Sequence, residues 1–263
     1  MSQLGVDGFR AERDTILTIA KSLTDDEWNA PSDCAGWAVR DVVAHLAATL
    51  HGVVDPAFMP DLSGGTEDAM EGPVAERRAR KVEEVLEEFE TFSEQAGNVF
   101  AMAQEPPMSE TMLPMGELGT HPMSILAGTF LFDSYCHLRN DILAPNGPIE
   151  RPQPPRDEMR LQPTVEWMLA GLPWMCAEQL AFMDRKVALA LTGPGGGTWL
   201  IAPGGEDVRV TLTEGKDGAA ATLTSTTHDF VVWGTQRRPW RTLATVVGDE
   251  DYAARVFDAV NII

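Results

Sequence analysis

Apolar side chains recur at helical spacing in four stretches of the first half of the chain. Residues 9–23 place Phe9, Ile16, Leu17, Ala20 and Leu23 on one stripe among charges, which predicts an amphipathic helix. Thr24 followed by Glu27 is a capping-box pair, and Pro31 ends the short helical turn that it starts. From Trp37 to about Val54 the stripe is Trp37, Val39, Val42, Val43, Leu46 and Leu50. His45 lies on the same stripe, so this predicted helix points a histidine inward. Residues 55–72, rich in Pro, Gly and acids, read as a loop. A long helix follows on Val82, Val85, Leu86, Phe89, Phe92, Ala96, Val99 and Phe100. Residues 105–119 read as loop, and a fourth helix runs from Pro122 to about Leu143. Four apolar stripes predict a helix bundle.

The second half has a different texture. Five prolines between Ala144 and Arg156 block regular structure, which predicts a boundary between a bundle at 1–148 and a second domain at 149–263. Val165 to Leu191 reads as a helix interrupted near Gly171-Leu172-Pro173 and stopped by the glycines of 193–197. Short β-branched or alternating runs at 198–201, 208–213 and 220–225, separated by glycine-rich turns, predict a meander of strands. Helical spacing returns at 230–233 and 251–260. The predicted fold class is α+β, a four-helix bundle followed by a smaller α+β domain.

Composition narrows the function. The 263 residues carry 40 acidic and 20 basic side chains, a formal charge of −20, and nothing in that balance favours a polyanion, so nucleic acid is excluded as a general partner. The N-terminus has early acids and no apolar core of a signal peptide, and no stretch reaches about 20 apolar residues. The expectation is a cytoplasmic protein with no membrane partner. Cys34, Cys136 and Cys176 are odd in number and far apart, so they read as reduced thiols. The glycine clusters lack a following Gly-Lys-Ser/Thr and a preceding strand, which leaves nucleotide binding unsupported.

The candidate chemistry lies on the fourth predicted helix. Asp133 and His137, four positions apart, project from one face about 6 Å apart along the axis. Imidazole nitrogen and carboxylate oxygen suit Zn²⁺ and its neighbours, and a catalytic zinc takes three protein ligands with one position open. His45 can be the third. An ordinary carboxylate–histidine pair beside a hydrogen-bonded core histidine fits the same residues, and spacing alone leaves both readings open. Asp141, one turn beyond His137, can orient the ring, and Arg139 and Asn140 are placed at the same mouth. Cys136 points about 100° away and reads as buried between helices; His51 and His121, near helix ends, read as exposed. Arg237-Arg238-Pro239-Trp240-Arg241 is the densest basic spot in an acidic chain, and guanidinium forks match carboxylates.

The run Asp-x-x-Trp-x-x-Pro-Ser-x-Cys-x-Gly-Trp-x-Val-Arg-Asp-Val-Val-Ala-His-Leu, Asp25 to Leu46, resembles the N-terminal metal-binding domain of the mycothiol-dependent maleylpyruvate isomerase family, within the DinB/YfiT-like bundles. Asp133-Ser-Tyr-Cys-His137-Leu-Arg-Asn-Asp141 resembles the family's fourth-helix segment, and the glycine-rich entry at 191–199 with Gly234 to Trp240 resembles the sterol-carrier-like domain fused to such bundles. The resemblance implies a divalent metal, usually zinc, on His45, Asp133 and His137. It also implies mycothiol as thiol cosubstrate and an arginine of the second domain, Arg237 or Arg238, in the active site. The family's isomerase has Glu where this chain has Asp133, one methylene shorter, so the reaction does not transfer with the ligands.

The expected function is therefore a metal- and mycothiol-dependent isomerase or thiol S-transferase acting on a small electrophilic, anionic substrate, as monomer or homodimer. Arg237 and Arg238 are the candidate catalytic residues, with Asp141 and Arg139 as groups near the cofactor. Two alternatives stay open: a metal-dependent hydrolase using the same three ligands, and a small-molecule-binding or stress-response protein without catalysis.

Overall fold

The computed structural model describes residues 3–61, 65–205 and 209–263. The predicted positions Leu62 to Gly64 of the first loop and Val208 of the second strand run lie outside them. The chain divides into two compact units, Met1–Gly116 with Thr120–Pro155, and Glu117–Gly119 with Arg156–Ile263.

The first unit is a bundle built on helices α1 (Gln3–Ala20), α3 (Val39–Val54), α5 (Val82–Met102) and α6 (Leu126–Cys136). The short α2 (Asp25–Trp28) starts at Thr24, whose hydroxyl accepts from Glu27 N while the Glu27 side chain accepts from Thr24 N, satisfying two donors that a helix start leaves open. α3 packs on α5, and α1 on α5 and α6. Their apolar stripes meet in a core of Phe9, Ile16, Val42, Leu46, Leu50, Phe89, Phe100 and Leu131. Phe9 and Phe100 meet edge to face with ring centroids 5.0 Å apart, an arrangement that adds about 1 kcal/mol to their burial.

Residues 66–72, read as loop from the sequence, are the start of a further helix, α4 (Thr66–Arg78), which continues through Pro73. Its polar composition hides the periodicity; among its described residues only a short apolar stripe, Met70 and Val74, is buried, and ion pairs add to it. Arg77 makes a two-pronged bond to the buried Glu88, with distances of 2.6 and 3.0 Å, and Arg78 reaches Asp41 at 3.1 Å. The predicted loop at 105–119 contains half of a small hairpin, β1 (Met112–Pro114) paired antiparallel with β2 (Thr120–Pro122). The last predicted helix is not uniform: after α6 the chain widens into a π-helical turn, His137–Ile142.

Residues 149–155, assigned to the second domain by their prolines, cluster with the bundle instead. Ile149 is buried in the bundle core and bridges to Leu143. Gln153 donates to the carbonyls of Arg139 and Ala144, and Arg151 pairs with Glu27 at 2.9 Å. Proline stiffens this segment without detaching it.

The second unit carries a five-stranded sheet of β3 (Val187–Thr192), β4 (Gly197–Pro203), β5 (Val210–Glu214), β6 (Ala221–Thr226) and β7 (Ala244–Gly248), in the order β5-β4-β3-β6-β7. It is not a simple meander, because β3 and β6 pair in parallel. Residues 187–191, predicted as the end of a helix, form the central strand; the apolar run Val-Ala-Leu-Ala-Leu is buried on both sides, which removes the alternation that marks a half-exposed strand. The helix before it, α7 (Glu158–Met175), starts earlier than predicted and runs through Pro163 to Pro173 and beyond. α8 (Thr227–Gly234) and α9 (Glu250–Asp258) pack on β3, β6 and β7. Among the described residues no helix is long and apolar enough to cross a membrane.

Candidate metal centre

The bundle brings together three of the sequence-predicted residues. His45, on the second turn of α3, and Asp133 and His137, one turn apart where α6 meets the π-turn, offer ligand atoms that lie within 4.8 Å of one another. His45 Nε2 and His137 Nε2 each lie 3.2 Å from the same oxygen, Asp133 Oδ1. The two imidazoles meet edge to face, centroids 4.9 Å apart. His45 is placed by its stripe, since Val42, Val43 and Leu46 beside it are buried in the core. Trp37 packs against the ring at 5.4 Å.

Behind His137 stands Asp141. Its Oδ2 lies 2.7 Å from His137 Nδ1 while His137 Nε2 faces Asp133. Asp141 is 1% exposed, so this carboxylate fixes which ring nitrogen points forward. His45 has no such support: among the described residues its Nδ1 is buried without a hydrogen-bond partner.

Burial alone would raise the Asp133 carboxyl, but the imidazoles of His45 and His137 outweigh it and hold its pKa far below the usual carboxylate range. Burial would lower His137, yet bonds to Asp133, Asp141 and Cys34 outweigh it and hold its pKa well above that of a free imidazole. His137 therefore holds its proton more tightly than a free imidazole, and loading a cation there releases it.

The donor set fits a tetrahedral divalent ion. Bonds of about 2.0–2.2 Å at a tetrahedral angle set neighbouring N and O donors roughly 3.4 Å apart, and the observed separations are 3.2 Å. The Asp133 side chain is 24% exposed, which leaves the carboxylate side open to solvent.

Arg139 is not at this site. Its side chain is fully buried, bonded through both terminal nitrogens to the buried Glu12 of α1, donating to the Pro155 carbonyl and stacked 3.8 Å over the Tyr135 ring. The residue lies two positions past His137 and so faces away from it, toward α1. Asn140 is likewise buried, and Cys136 is buried as expected. His51 is not exposed: it stacks between Phe58 and Phe92 and bonds to Glu88 at 2.8 Å. His121 is 5% exposed.

Arg237 and Arg238 lie in the second unit, after α8. The Arg237 amide donates to the Val232 carbonyl, and Arg238 lines a cavity of about 220 Å³ with Trp233, Gln236, Trp240 and Phe257. Sequence reasoning passed over Cys34 as a site residue. Its Sγ lies 3.7 Å from His137 Nδ1, and the signal was present in the Cys-x-Gly-Trp run shortly before His45.

These observations define an α+β protein whose helical unit carries a two-histidine, one-carboxylate donor set. Residues 9–132 match the model of the mycothiol maleylpyruvate isomerase N-terminal domain. Two crystal structures, of the mycothiol-dependent maleylpyruvate isomerase and of a histidine-to-alanine mutant of it, share the fold with a TM-score of 0.57 at 12% identity. The likeness covers 94% of this chain and 95% of theirs. No curated protein matches the chain.

Proposed function

We propose that the chain is a mycothiol-dependent enzyme, an isomerase or thiol S-transferase, that works with a divalent ion, Zn²⁺, on a small electrophilic, anionic substrate. The observation that carries this reading is the convergence of His45 Nε2, His137 Nε2 and Asp133 Oδ1 with Asp141 behind His137; the domain model that residues 9–132 match supports the choice of thiol. The bound ion would supply the positive charge that ionises a thiol whose free pKa is about 8.5.

The chain's own groups do the rest. His45 and His137 bring no charge as neutral ligands, and the single carboxylate of Asp133 leaves net positive charge at the centre to attract an anionic sulfur. Asp141 keeps His137 Nε2 pointed forward. Arg237 and Arg238 are the groups assigned to the substrate's carboxylate. The thiolate sulfur adds to an electrophilic carbon of a double bond, and the π electrons move to the substrate's acceptor group. Rotation about the resulting single bond and departure of the thiolate yield the isomer; protonation instead yields the conjugate.

Replacing the ion by Co²⁺ tests the reading. Mycothiol should produce a sulfur-to-cobalt charge-transfer band in the wild type and none in H137A, with glutathione weaker. A cobalt spectrum that mycothiol leaves unchanged, together with thiol-independent turnover of an ester or amide, would replace this reading with a hydrolase.

A further inference from the structure

The other edge of the His137 ring faces a different set of donors. Cys34 Sγ, His137 Nδ1 and Asp141 Oδ2 offer three ligand atoms within 4.8 Å of one another, and only the His137 ring is shared with the His45 and Asp133 set. The loop that carries the sulfur is built onto the π-turn. Asp33 N donates to the Asp141 carbonyl at 3.0 Å, Cys34 N to Ser32 Oγ at 3.2 Å, and Trp37 N to the Cys34 carbonyl at 3.1 Å. Gly36, at φ +81°, makes the reversal that this last bond closes. Cys34 and His137 are half-buried while Asp141 is buried.

The spacing suits an ion. Metal–sulfur and metal–nitrogen bonds of about 2.3 and 2.1 Å at a tetrahedral angle set the two donors roughly 3.6 Å apart, and Cys34 Sγ stands 3.7 Å from His137 Nδ1. The carboxylate is closer, with Oδ2 at 2.7 Å from Nδ1, and needs to withdraw by less than about 1 Å to make room. A sulfur donor beside nitrogen and oxygen selects borderline and soft ions over Mg²⁺ or Ca²⁺.

We propose that Cys34, His137 and Asp141 form a second cation site, sharing only His137 with the His45, Asp133 and His137 set, that takes a soft divalent ion such as Cd²⁺. The ion takes the place of the hydrogen between His137 Nδ1 and Asp141, and that proton and the Cys34 thiol proton are both released to water on binding. Loading this site withdraws the carboxylate that steadies His137, so a soft ion here weakens the neighbouring centre. The inference rests on these three donors and stands apart from the catalytic reading.

The test is titration of the metal-stripped full chain with Cd²⁺ alone, read by the ultraviolet sulfur-to-cadmium charge-transfer band and by equilibrium dialysis. H45A, which disables the other donor set, should keep the band with about one sulfur-bound Cd²⁺ per chain. Adding C34S or C34A to H45A should abolish the band and weaken Cd²⁺ binding at least about tenfold, and adding D141N should weaken it by about 10–100-fold. No band in H45A overturns the proposal. So does a band that survives in both Cys34 variants, because the sulfur would then be Cys136 or Cys176. Loss of cobalt binding in H45A with the cadmium band intact separates the two sites.

Discussion

His137 and Asp141 are joined by a 2.7 Å contact between Nδ1 and Oδ2, one helical turn apart, on a stretch where the chain leaves α-helical geometry for a π-turn. Wide turns of this kind concentrate at functional sites because they re-aim side chains that a regular helix would fix. Here the turn follows directly on α6, so Asp133 stays on the regular helix while His137 and Asp141 lie on the wider one. One imidazole therefore has a carboxylate at each nitrogen.

That relationship predicts unequal ligands. D141N should lower Zn²⁺ affinity by about 10–100-fold while leaving the stoichiometry at saturating metal near one per chain. H45A or H137A should remove most of the ion outright, since two donors hold zinc poorly. Competition with a chromophoric chelator measures both effects.

The Glu12–Arg139 pair should be structural. E12A leaves a buried guanidinium without its carboxylate and should cost about 3–5 kcal/mol in urea unfolding. The paired substitution E12L/R139M, which removes both charges and restores apolar volume, should recover most of that loss. A double variant as unstable as E12A would show that the pair does more than balance charge.

Glu88 sets an acid limit on stability. Its burial would raise the carboxyl, but bonds from Arg77 and His51 and the charge of Arg80 outweigh it and hold the pKa below the model-peptide value of 4.5. A folded-state pKa below the unfolded one stabilises the fold above the unfolded value, and that contribution disappears as pH falls through the folded value. Stability should therefore decline below about pH 4.5. E88Q should be less stable at neutral pH and show a shallower decline in that acid window, as chemical denaturation at several pH values would show.

Arg237 and Arg238 are assigned to substrate, so R237A and R238A should reduce turnover by about tenfold to a hundredfold, the cost of one charge-assisted hydrogen bond. Metal content should not change. Full activity in both single variants and in the double variant would remove the arginines from the reaction.

The sequence by itself determined the helical bundle, the capped turn at Thr24, the inward face of His45 and the common face of Asp133 and His137, because each is a matter of local period: residues three or four apart on a helix share a side whatever surrounds them. The runs that become β4, β5 and β6 were legible for the same reason, since β-branched residues between glycine turns carry their own signal, whereas the edge strand β7 was not among them. What lay outside local period needed the tertiary structure. The all-apolar run at 187–191 has no alternation because both of its faces are buried, and α4 has, among its described residues, only the short apolar stripe of Met70 and Val74 because Arg77 and Arg78 also anchor it through Glu88 and Asp41. Arg139 sits two positions from a candidate ligand in sequence, yet packing against α1 gives it Glu12, a residue 127 positions away. The same holds for Cys34 and His137, 103 positions apart: spacing along a chain cannot encode a contact made by a loop folding back on a helix, and only the packed bundle puts the sulfur beside the ring.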